Sequence, residues 1–204
     1  MNKTLAMVFT RNPELGKVKT RLAKTIGNEG ALTIYKALLN HTENTIRKVN
    51  SDKAVFYSVS INDDDIWNNT IYQKHLQKGN DLGERMKNAF ANAFKSGYDK
   101  VVIVASDLFD ITSNHINEAF KQLDTSDVVI GPSPDGGYYL LGMNYLHSQV
   151  FEQKEWGTET VLNATLNDMQ NIDVHLLEEI NDIDTFDDIK NIPELTELLE
   201  LVNR

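Results

Sequence analysis

Not one of the 204 residues is a cysteine, which removes disulfides, thiolate metal sites and cysteine nucleophiles together and fits a reducing compartment. No apolar run approaches the length of a membrane span. The short apolar stretch at the start is ended by Arg11 before a signal-peptide core can form, so a cytoplasmic protein without a membrane partner is expected. Basic residues are in deficit, 20 Lys and Arg against 30 Asp and Glu for a net charge of −10. That balance is the reverse of the basic footprint of a nucleic-acid binder. The chain also lacks a Walker loop, a Gly-x-Ser-x-Gly elbow and a Gly-x-Gly-x-x-Gly loop. Its five histidines are scattered, with no metal-ligand spacing.

What is present is an ordinary globular composition, 41% hydrophobic and 25% charged. With no linker and no repeat, it reads as one domain over residues 1–204. Strand-like runs occur at Leu5–Phe9, Ala54–Val59, Val101–Ala105, Val128–Ile130 and Tyr138–Leu141. Helical periodicity separates them, with Ala31, Ile34, Tyr35, Leu38, Leu39, Thr42, Ile46 and Val49 on one face and Met86, Ala89, Phe90, Ala93 and Phe94 on another. Pro193–Val202 has the pattern of a terminal amphipathic helix. Strands alternating with helices imply parallel pairing in a layered α/β domain. Ligands in such sheets bind outside the carboxyl ends of the strands.

The loops expected at that edge hold the informative residues. The first, TRNPELGKVKTRLAK, carries Arg11, Lys17, Lys19, Arg21 and Lys24 against Glu14 alone. Such a cluster at a helix start would neutralise a di- or triphosphate, and a solvated basic turn would show the same composition. The second, VVIVASDLFDITS, places Asp107 just past a strand, where a carboxylate can hold Mg2+ or Mn2+ against phosphate oxygens. A plain loop aspartate is the alternative there, and Asp110 precedes Thr112, a candidate N-cap for a helix from Ser113. The third, GPSPDGGYYLLG, sets Asp135 before Gly136 and Gly137, suited to close approach of a ligand or to a tight hairpin turn. The fourth, NDIDTFDDIK, has Asp182 and Asp184 two apart, facing one way in an extended segment and able to complete a metal site begun by Asp107. Thr185 and Asp188 there also resemble a capping box.

Taken in order, Lys17-Val-Lys-Thr-Arg-Leu22, Gln77-Lys-Gly-Asn-Asp-Leu-Gly-Glu-Arg-Met86, Ser106-Asp107, Gly131-Pro-Ser-Pro-Asp-Gly-Gly-Tyr-Tyr139 and Asp182-Ile-Asp-Thr185 span nearly the whole chain. This set resembles the radical-SAM/selenodomain-associated glycosyltransferase-like family of the nucleotide-diphospho-sugar transferase superfamily. It is also similar to the 2-phospholactate guanylyltransferases. The resemblance implies a GT-A type fold, a Rossmann-like three-layer sandwich around a mostly parallel central sheet. It implies phosphate contacts from Arg11, Lys17, Lys19 and Arg21, and places Asp81 and Gly83, within Asp81-Leu-Gly-Glu-Arg85, near the base or ribose. Asp107 would be the metal-binding aspartate, with Asp182 or Asp184 as second ligand to Mg2+ or Mn2+. The Asp135-Gly136-Gly137 turn would border the second substrate, with Asp135 the candidate acceptor base. Trp156 is a candidate for stacking on that substrate, or a packing residue. The family pattern has Cys-Pro after Ser-Asp, where this chain has Leu108 and Phe109, so no cysteine chemistry operates there. The expected activity is metal-dependent transfer of a sugar from a nucleotide sugar to a small-molecule acceptor. The alternatives are nucleotidyl transfer from a nucleoside triphosphate with release of pyrophosphate, and a nucleotide-binding module without catalysis.

Overall fold

The computed structural model describes residues 2–202. Its centre is a seven-stranded sheet of order β3-β2-β1-β4-β6-β5-β7. The strands are β1 (Thr4–Thr10), β2 (Asp52–Tyr57), β3 (Tyr72–Leu76), β4 (Lys100–Ala105), β5 (Val128–Pro132), β6 (Tyr138–Met143) and β7 (Val174–Leu176). All run the same way except β6, which pairs antiparallel with both β4 and β5. The mostly parallel sheet expected from the sequence is therefore present.

Continuous apolar runs form the middle strands because both faces of the sheet are covered. In β1, Ala6 and Val8 face one core while Leu5 and Met7 face the other, and β4 divides Val102 and Val104 from Val101 and Ile103 in the same way. One face is covered by α1 (Thr20–Ile46) and α3 (Ser113–Gln122), through Tyr35, Leu39 and Ile46 and through Ile116, Ala119 and Phe120. The other is covered by α2 (Leu82–Lys95) and α4 (Val161–Asn167), with a short 3-10 turn at Ser148–Phe151. A third cluster joins α1 to the last helices, α5 (Phe186–Ile189) and α6 (Pro193–Val202), through Leu22, Ile34, Leu38, Ile183, Ile189, Leu195 and Leu199.

Two strands have no expectation in the sequence, and one was expected too long. β3 is Tyr-Gln-Lys-His-Leu with only Tyr72 buried, because it is an edge strand. β7 has only three residues, Val-His-Leu. β2 stops at Tyr57; Val59 is 64% exposed and its N–H is bonded by the Asn12 side chain at 3.0 Å. Among the described residues no helix is long and apolar enough to cross a membrane.

Candidate active site at the carboxyl edge of the sheet

β1 and β4 end side by side, and a buried hydroxyl ties their loops together. The Tyr35 hydroxyl accepts the Arg11 N–H at 3.0 Å and lies 3.2 Å from Thr10 Oγ1 and 3.4 Å from Ser106 Oγ. Asp107 follows directly. Its carbonyl accepts the Ile183 N–H at 3.1 Å, and Leu108 forms an antiparallel bridge with Asp182. This short splice carries the Asp182–Asp184 segment alongside the end of β4. The Asp188 carboxylate then fixes it, accepting the N–H groups of Asp184 at 3.1 Å and Thr185 at 2.6 Å and the Thr185 hydroxyl at 2.8 Å. The capping residues expected at Thr185 and Asp188 are thus also what holds the acidic pair in place.

The result is a cluster in which Asp107, Asp182 and Asp184 each present one oxygen, all within 4.8 Å of one another. Two cations enter it. The Lys19 side chain is 5% exposed, and its Nζ donates to Asp107 Oδ2 at 2.7 Å and to Asp184 Oδ1 at 3.0 Å. Arg21 Nη1 donates to Asp184 Oδ2 at 3.0 Å from a mostly exposed position. Lys19 itself has left-handed backbone angles, φ 46° and ψ 48°, unusual for a residue with a side chain. Burial draws its ammonium pKa down, but Asp107 and Asp184 more than reverse this, so the net shift is upward. Asp182 is pushed up to about 6, first by burial and then by the negative charges of Asp107 and Asp184. A half-buried set of three hard carboxylate donors suits Mg2+ or Mn2+, ions that take oxygen ligands from one or two carboxylates plus substrate phosphates.

The remaining candidates lie around this centre with varied roles. Asp135 Oδ1 accepts the Ser133 hydroxyl at 2.5 Å and the Gly137 N–H at 2.9 Å, and its charge contributes to the raised pKa of Asp182. The Asp-Gly-Gly segment is the β5–β6 turn. Gly136 needs its φ of 83° and its lack of a side chain, because a Cβ would lie 2.1 Å from the Glu159 carbonyl oxygen. Together the turn, Glu159, Thr160 and Asn163 border an open cavity of about 470 Å³. Lys17 is paired with Glu14 at the surface rather than with the carboxylates. Arg11 is exposed and lines a separate cavity of about 180 Å³ with Lys36, Leu39 and Trp67.

Asp81 caps α2 by accepting the Glu84 N–H at 2.8 Å. Gly83 is where Trp156 lies against that helix, since a Cβ there would fall 2.5 Å from Trp156 Cζ2. Trp156 also meets Tyr138 edge-on at 6.5 Å. The structure therefore gives Asp81, Gly83 and Trp156 capping and packing contacts. Two residues that the sequence left without a role stand at the same edge. Gln77 Nε2 donates to the carbonyls of Thr10 at 3.1 Å and Phe56 at 3.0 Å, capping two strand ends. Tyr35 is the other, and a tyrosine on an otherwise apolar helix face is itself a signal, because a buried hydroxyl needs a partner.

The family model described as an uncharacterized protein conserved in bacteria (DUF2064) matches residues 41–158. No functionally curated protein matches the chain. Among solved structures, a Desulfovibrio desulfuricans G20 protein provisionally named a nucleotide-diphospho-sugar transferase is 31% identical, with TM-score 0.86, covering 100% of this chain and 96% of its own. A homologue of Rv0371c from Mycobacterium sp. strain JC1 has TM-score 0.62 at 14% identity, covering 97% and 98%. A cytidylyltransferase from Leptospira borgpetersenii has TM-score 0.60 at 14% identity, covering 100% and 94%. The last two, at such low identity, speak to the fold alone. That fold is the Rossmann-like α/β arrangement of the nucleotide-diphospho-sugar transferases. By the span of the family match, more than half of its length, the chain belongs to the bacterial family DUF2064.

Proposed function

We propose that this chain is a divalent-metal-dependent glycosyltransferase that moves a sugar from a nucleotide sugar to a small-molecule acceptor, within one cytoplasmic domain. The observation that carries the reading is the cluster of Asp107, Asp182 and Asp184, with Lys19 enclosed by it and Arg21 paired to its outer side, at the carboxyl edge of the sheet. The name given to the 31%-identical Desulfovibrio structure points the same way. Asp107, Asp182 and Asp184 would hold Mg2+ or Mn2+, which as a Lewis acid offsets charge building on the departing diphosphate. Lys19 and Arg21 donate to diphosphate oxygens, contacts that strengthen as the bond from the anomeric carbon to phosphate oxygen breaks. Asp135, beside the open cavity, has one oxygen held in its turn and the other available to an acceptor hydroxyl. In this scheme it takes the hydroxyl proton as the acceptor oxygen bonds to the anomeric carbon, and the nucleoside diphosphate leaves.

A second reading is nucleotidyl transfer, supported by the fold shared with the Leptospira cytidylyltransferase. The same carboxylates and cations would then hold a triphosphate and stabilise pyrophosphate as leaving group. Product analysis separates the two. Purified protein with Mn2+ releases nucleoside diphosphate slowly from at least one nucleotide sugar, releases no pyrophosphate from any nucleoside triphosphate, and loses the activity in Asp107→Asn. Pyrophosphate release that depends on Asp107 would establish the second reading, and neither product with any substrate would leave a binding module.

A further inference from the structure

Lys19 does more in this fold than wait for a phosphate. Its ammonium is almost fully enclosed and bridges Asp107 and Asp184 at 2.7 and 3.0 Å. A divalent ion that binds those carboxylates competes with it for the same oxygens. An ammonium that loses those oxygens while still buried requires another anionic partner, because an unpaired buried charge is costly. The backbone at Lys19 supports the same view. A left-handed conformation at a residue with a side chain is unfavourable and persists where surrounding contacts enforce it. Among the contacts of Lys19 are the two carboxylates that its ammonium bridges.

We infer that Lys19 is the resident counter-ion of the carboxylate cluster and couples the metal to the nucleotide, each promoting the other because phosphate oxygens receive the ammonium that the metal displaces. This deepens the transferase reading and rests on it. Reciprocity follows from linkage: the factor by which a nucleoside diphosphate tightens metal binding equals the factor by which metal tightens the diphosphate.

The test is equilibrium binding, without turnover. Mn2+ binding is followed by electron paramagnetic resonance. ADP, CDP, GDP and UDP are each titrated calorimetrically, with and without Mn2+, into wild-type protein and Lys19→Met. Relative to wild type, Lys19→Met binds Mn2+ alone more tightly and the diphosphate more weakly. Its metal–diphosphate coupling is reduced by a factor within the roughly 5–150-fold typical of coupled sites. A Lys19→Met chain that folds only with Mn2+ supports the inference, and one that folds under neither condition is replaced by Lys19→Gln, read identically. Unchanged or weaker Mn2+ binding by the variant, alongside normal wild-type binding of both ligands, overturns the role of Lys19 and leaves the transferase reading standing. Wild-type protein that binds neither Mn2+ nor any diphosphate overturns the transferase reading and this inference together.

Discussion

Lys19 bridges Asp107 and Asp184, while Asp182 carries the unfavourable side of the arrangement, its carboxyl pushed up to about 6 by burial and by its two acidic neighbours. An unfolded aspartate titrates at about 3.9. Between those values the folded chain holds a proton that the unfolded chain has released, so stability falls as pH rises from about 4 to about 6. The penalty is then fully present above pH 6 and absent below pH 4. Replacing Asp182 by Asn removes it. In the presence of a chelator, Asp182→Asn is expected to melt higher than wild type at pH 7.5, by an amount worth roughly 1 kcal/mol after allowance for solvent around a half-buried group. The advantage disappears when melting is measured at pH 4. With Mn2+ added at pH 7.5, wild type is expected to gain more than the variant, since only it keeps all three carboxylates. Equal melting of the two proteins at both pH values would show that Asp182 is not strained.

At the scale of elements, glycine positions separate packing from ligand contact. Gly83 in α2 has Trp156 Cζ2 and the Phe151 carbonyl oxygen where a Cβ would be, at 2.5 and 2.6 Å, and a backbone carbonyl cannot move aside cheaply. Gly83→Ala is expected to lower stability by about 1–3 kcal/mol, the usual cost of overpacking, seen as a lower denaturant midpoint. Variants still folded in buffer should bind nucleoside diphosphate as wild type does if Gly83 serves packing alone; a selective loss of binding at unchanged stability would support the expected place of Gly83 at the nucleotide site. The sequence made some of these elements legible and others not, for physical reasons. β1, β4 and β6 stand out because they are buried on both faces and read as apolar runs. β3 does not, since an edge strand with Gln73, Lys74 and His75 has no alternation to detect. Asp107 was legible from its place after a strand, and Asp182 and Asp184 from their spacing. That Lys19 would turn inward to the carboxylates was not, because the same basic island fits a phosphate site or a solvated turn. Gln77 left no signal either: its bond to the Thr10 carbonyl joins residues 67 positions apart.

Over the whole molecule, the acidic pair depends on packing well away from it. Ile183 lies between Asp182 and Asp184 and is buried with Ile189, Leu195 and Leu199 against Leu22, Ile34 and Leu38 of α1. The helix carrying Lys19 at its start and the segment carrying the second and third carboxylates are thus held by one apolar seam. Leu195, 2% exposed on α6, touches no ligand in the proposed chemistry. Leu195→Ala is expected to cost about 2–5 kcal/mol and also to weaken Mn2+ binding measured well below the melting temperature. Destabilisation with Mn2+ affinity unchanged would show the acidic segment to be held by Asp188 and the bridge to Leu108 alone.

The contact between Lys19 and Asp184 joins residues 165 positions apart, and six of the seven strands, β2 to β7, lie between them in the sequence. During synthesis, where folding proceeds from the N-terminal side, all seven strands emerge before the second and third carboxylates do. A ribosome paused after β7 therefore carries a nascent chain whose sheet can assemble but whose charge cluster is a lone Asp107 facing Lys19. On the proposed reading such a chain carries one of the three metal ligands, so its affinity for a divalent ion is expected to lie below that of the finished chain.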